Sequence, residues 1–117
     1  MGPVILGRAD IAAGQSLGAA VATTGYGVSF IVLPAAWTDA ALTVQGSTDE
    51  GAPSAWSDLF DHLGSEVVFV VAPGRAIALP PTLLLGWRWL RLRSGVAAAP
   101  VAQAADRAIV LGHRGFA

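Results

Sequence analysis

The stretch GWRWLRLRSG, Gly86 to Gly95, threads two tryptophans through three arginines, and the fold turns on whether it is a strand or a nucleic-acid platform. In a strand, alternate side chains point to opposite faces. Arg88, Leu90 and Leu92 then share one face and Trp87, Trp89, Arg91 and Arg93 the other. Leu90 and Leu92 belong to a core. The second face alternates indole and guanidinium groups, which suits intramolecular stacking worth about 0.5–1 kcal/mol when exposed and about 2 when desolvated. A base-stacking platform with cationic flanks is the competing reading. The strand reading is preferred, with Trp87, Trp89, Arg91 and Arg93 as candidates for contact with another subunit, because Trp and Arg are enriched at protein interfaces.

Outward from this stretch, glycine and proline punctuate the chain every few residues. Between them lie PVILG, YGVSFIVLP, AALTVQGS, WSDLF, EVVFVVAPG, RAIALP and DRAIVLG. Short runs of Val, Ile, Leu and aromatics bounded by turn formers are the strand signature, and their spacing predicts an all-β antiparallel sandwich or barrel. The segment DIAAGQSLGAAVATTG reads against a helix because Gly14 and Gly18 each cost about 1 kcal/mol in a helix interior; Leu17 to Thr23 is predicted as a strand. Pro80 and Pro81 forbid a central strand, so Thr82 to Leu85 is predicted as one short helical turn closing an end of the barrel. Gln45 to Trp56 is the longest polar stretch and reads as an exposed hairpin loop. Ala99 to Asp106 reads as a connector between sheets, its side chains too small to fill a core layer.

The totals bound what such a chain does. Its 117 residues suit one domain. Hydrophobic residues make up 54% and charged residues 13%, about half the roughly 25% usual in soluble domains, so part of the surface is expected to be covered by other subunits. A net charge of −1 gives no field to recruit polyanions, and a nucleic-acid partner is not expected. The absence of cysteine removes disulfides, thiolate nucleophiles and Cys-based zinc sites. A membrane span needs roughly 18 uninterrupted apolar residues, whereas Val67 to Ala72 ends at Pro73-Gly74. Arg8 and Asp10 stand where a signal peptide needs its apolar core.

Candidate chemistry is sparse. His62 and His113 lie far apart without a paired-ligand motif. No serine sits in a G-x-S-x-G elbow. Gly25-Tyr26-Gly27 does not extend to a dinucleotide fingerprint. Asp49, Glu50, Asp58 and Asp61 lack the regular spacing of a calcium loop. No enzyme activity, cofactor or metal is expected.

LPAAWTDAALTVQGSTDEGAPSAWSDLFD, followed by RAIALPPTLLLGWRWLRLRSGVAAAPVAQAADRAIVL, resembles small β-sandwich proteins of tailed bacteriophages, prophages and gene transfer agents. The resemblance spans Leu33 to Leu111. It implies a discoidin-like or galactose-binding-like jelly roll, the single β-sandwich domain expected over residues 1–117 from the chain length, and a capsid decoration or cement protein made in the bacterial host cytoplasm and held on the virion surface. The implied partners are the major capsid protein and further copies of the chain, expected as a homotrimer. Met1 to Thr24 lies outside the resemblance, and residues 1–12 are expected to form an assembly arm that orders on binding. The rival implication is a carbohydrate-binding module of a head spike or tail fibre, stacking sugars on Trp37 and Trp56, with Trp87 and Trp89 as further candidates.

Overall fold

The structure is a computed structural model that describes residues 4–80 and 82–115. Ten strands follow in order: β1 (Val4–Arg8), β2 (Val21–Ala22), β3 (Tyr26–Val32), β4 (Leu42–Ser47), β5 (Ser57–Asp58), β6 (Val68–Phe69), β7 (Ala76–Ala78), β8 (Trp89–Val96), β9 (Ala99–Pro100) and β10 (Val110–Gly115). They form two antiparallel sheets, consistent with the expected β-sandwich. One runs β1-β10-β3-β7; the other runs β2-β8-β4-β5, with β6 also on β4 and β9 on β8. The chain passes back and forth between the sheets, and its first and last strands lie side by side.

The core sits where alternation puts it. Leu42 and Val44 of β4 face inward with Leu90 and Leu92 of β8, and the opposing sheet answers with Val28 and Ile31 of β3 and Leu111 of β10. Ala9, Ile11, Leu33 and Ile109 complete that layer from the chain flanking the strands. Burying one such aliphatic side chain contributes about 1.5–3 kcal/mol.

Several expectations are corrected in detail. The described part of the expected arm is not held free: Val4–Arg8 pairs with β10 along its whole length, and Ala9 and Ile11 are fully buried. Backbone bonds from Ala9 N to Ile109 O and from Ile11 N to Arg107 O continue the pairing past the strand. Residues 1–3 lie outside the described residues. Leu17 to Thr23 follows β8 from Leu17, opposite Arg93, to Thr23 N, which donates to Arg88 O, but is regular only at Val21–Ala22. The pairing slips by one residue between Leu17↔Arg93 and Val21↔Leu90, because the Ala19 amide turns away to Asp10 O. Thr82 to Gly86 forms a hydrogen-bonded turn rather than a helix, with Leu84 buried beneath it; Pro81 is outside the described residues. The connector expected from Ala99 to Asp106 is corrected on both counts: Ala99–Pro100 is strand β9, paired back onto β8, and the stretch after it supplies a buried side chain, Gln103.

Candidate functional site

The outward face of the six-stranded sheet carries the arginine row. Register sets Thr43 beside Arg93, Gln45 beside Arg91 and Ser47 beside Trp89, and Asp58 beside Gln45. Arg93 is almost wholly buried and donates from each of its three nitrogens: Nε to Thr43 Oγ1 at 3.0 Å, Nη1 to Asp58 Oδ1 at 2.6 Å and Nη2 to Glu66 Oε2 at 2.9 Å. Arg91 Nε donates to Gln45 Oε1 at 2.7 Å, and its guanidinium stacks 4.3 Å from the centre of the Trp56 ring. Gln45 Nε2 closes the chain of bonds on Asp58. The Arg93 hydrogen bond, with that from Gln45, holds the Asp58 carboxyl below its ordinary range, while desolvation lowers Arg91. Two cations and two carboxylates thus neutralise one another. Among the described residues, Arg114 Nε is the one buried side-chain nitrogen or oxygen without a partner.

The tryptophans do not form one row. Trp89 stays on this outward face and donates Nε1 to Asp49 O at 3.1 Å. Trp87 is turned to the other side, and its expected place beside Trp89, Arg91 and Arg93 is corrected. The strand begins only at Trp89; before it, Thr23 ties down the carbonyls of Trp87 and Arg88, and the Trp87 indole lies over Gly46, which shares the inner face with Val44. Trp37 is buried in the core and donates Nε1 to Ala40 O, so it is corrected as a sugar-stacking candidate. Trp56 is half-buried, with Arg91 against its ring.

The outward face of the four-stranded sheet is of opposite character. Register aligns Leu6, Gly112, Phe30 and Ala78 in one row and Arg8, Val110, Val32 and Ala76 in the next. Their neighbours Gly7, Leu111, Ile31 and Ile77 point into the core, so these two rows point out. An antiparallel sheet with one face on a core ordinarily turns polar side chains to water. Here Leu6, Phe30, Val32, Val110, Ala76 and Ala78 do so instead. Phe30 lies across Gly112, where a Cβ has no room. Arg8 stands at the margin and is neutralised by Asp10, with both bonds at 2.9 Å.

The sequence reading missed this face, although a signal was present. Phe30-Ile31-Val32 and Ile109-Val110-Leu111 are unbroken apolar runs, and strands buried on both faces read that way. It also missed the Gln103 clamp, for which composition offered no sign: Nε2 donates to Thr38 O and Ser94 Oγ, and Oε1 accepts from Thr38 N and Arg107 Nε. Of the two histidines, His113 is buried against Tyr26 and Gly7, and desolvation lowers its pKa; His62 is exposed. Among the described residues no three His, Cys, Asp or Glu side chains gather as a metal-ligand group.

No protein-family model, curated protein or solved structure matches this chain.

Proposed function

We propose that this protein is a structural component of the virion of a tailed phage or gene transfer agent, a capsid decoration or cement protein. It seats the apolar outward face of its four-stranded sheet on the lattice of the major capsid protein. The observation that carries this reading is the pair of rows Leu6-Gly112-Phe30-Ala78 and Arg8-Val110-Val32-Ala76, which put six large or small apolar side chains, each exposed or half-exposed, on one outward sheet face. Contiguous exposed apolar patches larger than a monomer ordinarily carries mark contact sites. The low charge of the chain and its resemblance to phage β-sandwich proteins supply the class of partner. No reaction is assigned to it.

The test uses particles purified from cells carrying the gene. The expected result is that the protein sediments with them in fixed ratio to the major capsid protein and appears as density on the lattice by cryo-electron microscopy. Phe30→Asp is expected to lower occupancy at least tenfold while leaving the fold intact. Particles devoid of the protein overturn the proposal.

A second reading rests on Trp56. Half-buried, with Arg91 against its ring and Arg91 bonded through Gln45 to Asp58, it sits at the end of a chain of guanidinium, amide and carboxylate groups of the kind that orient sugar hydroxyls, as in a head-spike or tail-fibre adsorption module. Glycan-array binding abolished by Trp56→Ala favours it over the first; no glycan signal removes it.

A further inference from the structure

The margins of the two sheets are unequal. Strand β7 is three residues long, and β2, β5 and β6 are two each, short enough to offer little template for pairing. Strand β1, Val-Ile-Leu-Gly-Arg, is five residues long, and among the described residues no further strand lies beyond it. The hydrogen bonds that follow it set its phase. Ala9 N donates to Ile109 O, while Ile11 and Arg107 exchange both of theirs. Odd-numbered residues therefore turn their backbone groups toward β10, and Val4, Leu6 and Arg8 turn theirs outward. Leu6 is also 66% exposed, on the apolar face.

We infer that β1 pairs with β1 of a second copy of this chain, antiparallel across a two-fold axis at Leu6. The occupant follows from self-complementarity. Leu6 falls opposite Leu6 of the second copy as a hydrogen-bonded pair, and Val4 falls opposite Arg8. The two Arg8 side chains then stand four residues apart along the ribbon, about 14 Å at strand rise, beyond the ~8 Å screening length at physiological salt. Each is already paired with its own Asp10. The four-stranded sheet becomes a continuous sheet of twice the width, the last long edge disappears, and the two apolar faces join into one surface. An isologous contact of this kind closes at two copies, so the pair replaces the trimer as the unit. Only the use of the doubled surface rests on the capsid-binding reading.

Analytical ultracentrifugation of the purified chain at tens of micromolar tests the pairing directly. The expected mass is twice that of the chain. Leu6→Pro removes an outward N–H that β10 does not use, a substitution edge strands tolerate, and is expected to give the single-chain mass with an unchanged circular dichroism spectrum. Leu6→Lys, which places charge on the edge without touching the backbone, is expected to weaken the pair at least tenfold. Because the chain has no cysteine, Leu6→Cys supplies a third measurement. Hydrogen-bonded partners lie about 5.5 Å apart at Cα, within disulfide reach, so the oxidised variant is expected to run as a dimer on a non-reducing gel while Thr24→Cys does not. A monomer, a trimer, or a dimer indifferent to all three substitutions overturns the inference. Capsid occupancy without a dimer in solution defeats this inference alone, whereas a dimer that never joins particles defeats the capsid reading alone.

Discussion

The indole of Trp87 lies so close over Gly46 that a Cβ at position 46 would stand 2.5 Å from Trp87 Cε3. This contact joins β4 to the chain ahead of β8 and holds Trp87 on the core side while Trp89, two residues later, faces out. Gly46→Ala forces the indole or the strand to move, and overpacking of this kind costs about 1–3 kcal/mol. In urea, the unfolding midpoint is expected to fall with an unchanged slope.

Arg93 holds two carboxylates on the outward face, with side-chain exposure of 6% against 34% for Asp58 and 18% for Glu66. Arg93→Met removes the ion-pair partner of both carboxylates and is expected to cost about 2–3 kcal/mol, less than the roughly 3–5 kcal/mol of a fully buried broken pair, because Asp58 is partly hydrated and keeps its bond from Gln45. Arg93→Lys recovers little, since one ammonium does not reproduce the planar fork. Adding Asp58→Asn and Glu66→Gln to Arg93→Met is expected to restore much of the loss in thermal unfolding. A triple variant no more stable than Arg93→Met counts against the charge account.

Gln103→Leu keeps the volume of the buried amide but removes its four side-chain bonds, orphaning groups of Thr38, Ser94 and Arg107. The expected loss is about 2–3 kcal/mol. Gln103→Glu discriminates, because its carboxylate keeps the acceptor for Arg107 and loses the donor to Ser94.

His113 gives stability a pH dependence. Burial lowers its pKa from the ordinary value of 6.5, so below that pH the unfolded chain binds a proton that the folded chain refuses. Stability is therefore complete above about pH 6.5 and falls as pH drops toward the depressed folded value. The Asp49, Asp58 and Asp61 carboxyls are also lowered, from 3.8, and their contribution is lost only below that. The melting temperature of the wild type is expected to decline in two stages on acidification, and His113→Phe to lack the first.

Deletion of residues 2–12 is expected to abolish cooperative unfolding rather than merely release a capsid contact. It removes β1 together with the fully buried Ala9 and Ile11, and exposes the flank of β10. Near-native melting of the truncated chain by circular dichroism disproves this.

The strand class, the punctuation by Gly and Pro, and the inward places of Leu90 and Leu92 were legible in the sequence because alternation and turn chemistry act over a few residues. So was the exposed loop between β4 and β5, although it is shorter than the expected Gln45 to Trp56, because Gln45 to Ser47 pair with β8 as the end of β4 and Ser47 is buried. Tertiary structure alone decided what lay across a sheet or beyond a strand end. Trp87 left its expected row because the strand starts two residues later and Gly46 opened a space for the indole. Residues 4–11 left the expected arm because a distant strand, β10, and the chain just ahead of it supplied their hydrogen bonds. The arginine row found its acids at Asp58 and Glu66, far off in sequence, so local reading saw stacking groups where the fold makes a closed charge network. The apolar outward face was spelled by four separated strands, and only their register showed that those side chains turn the same way.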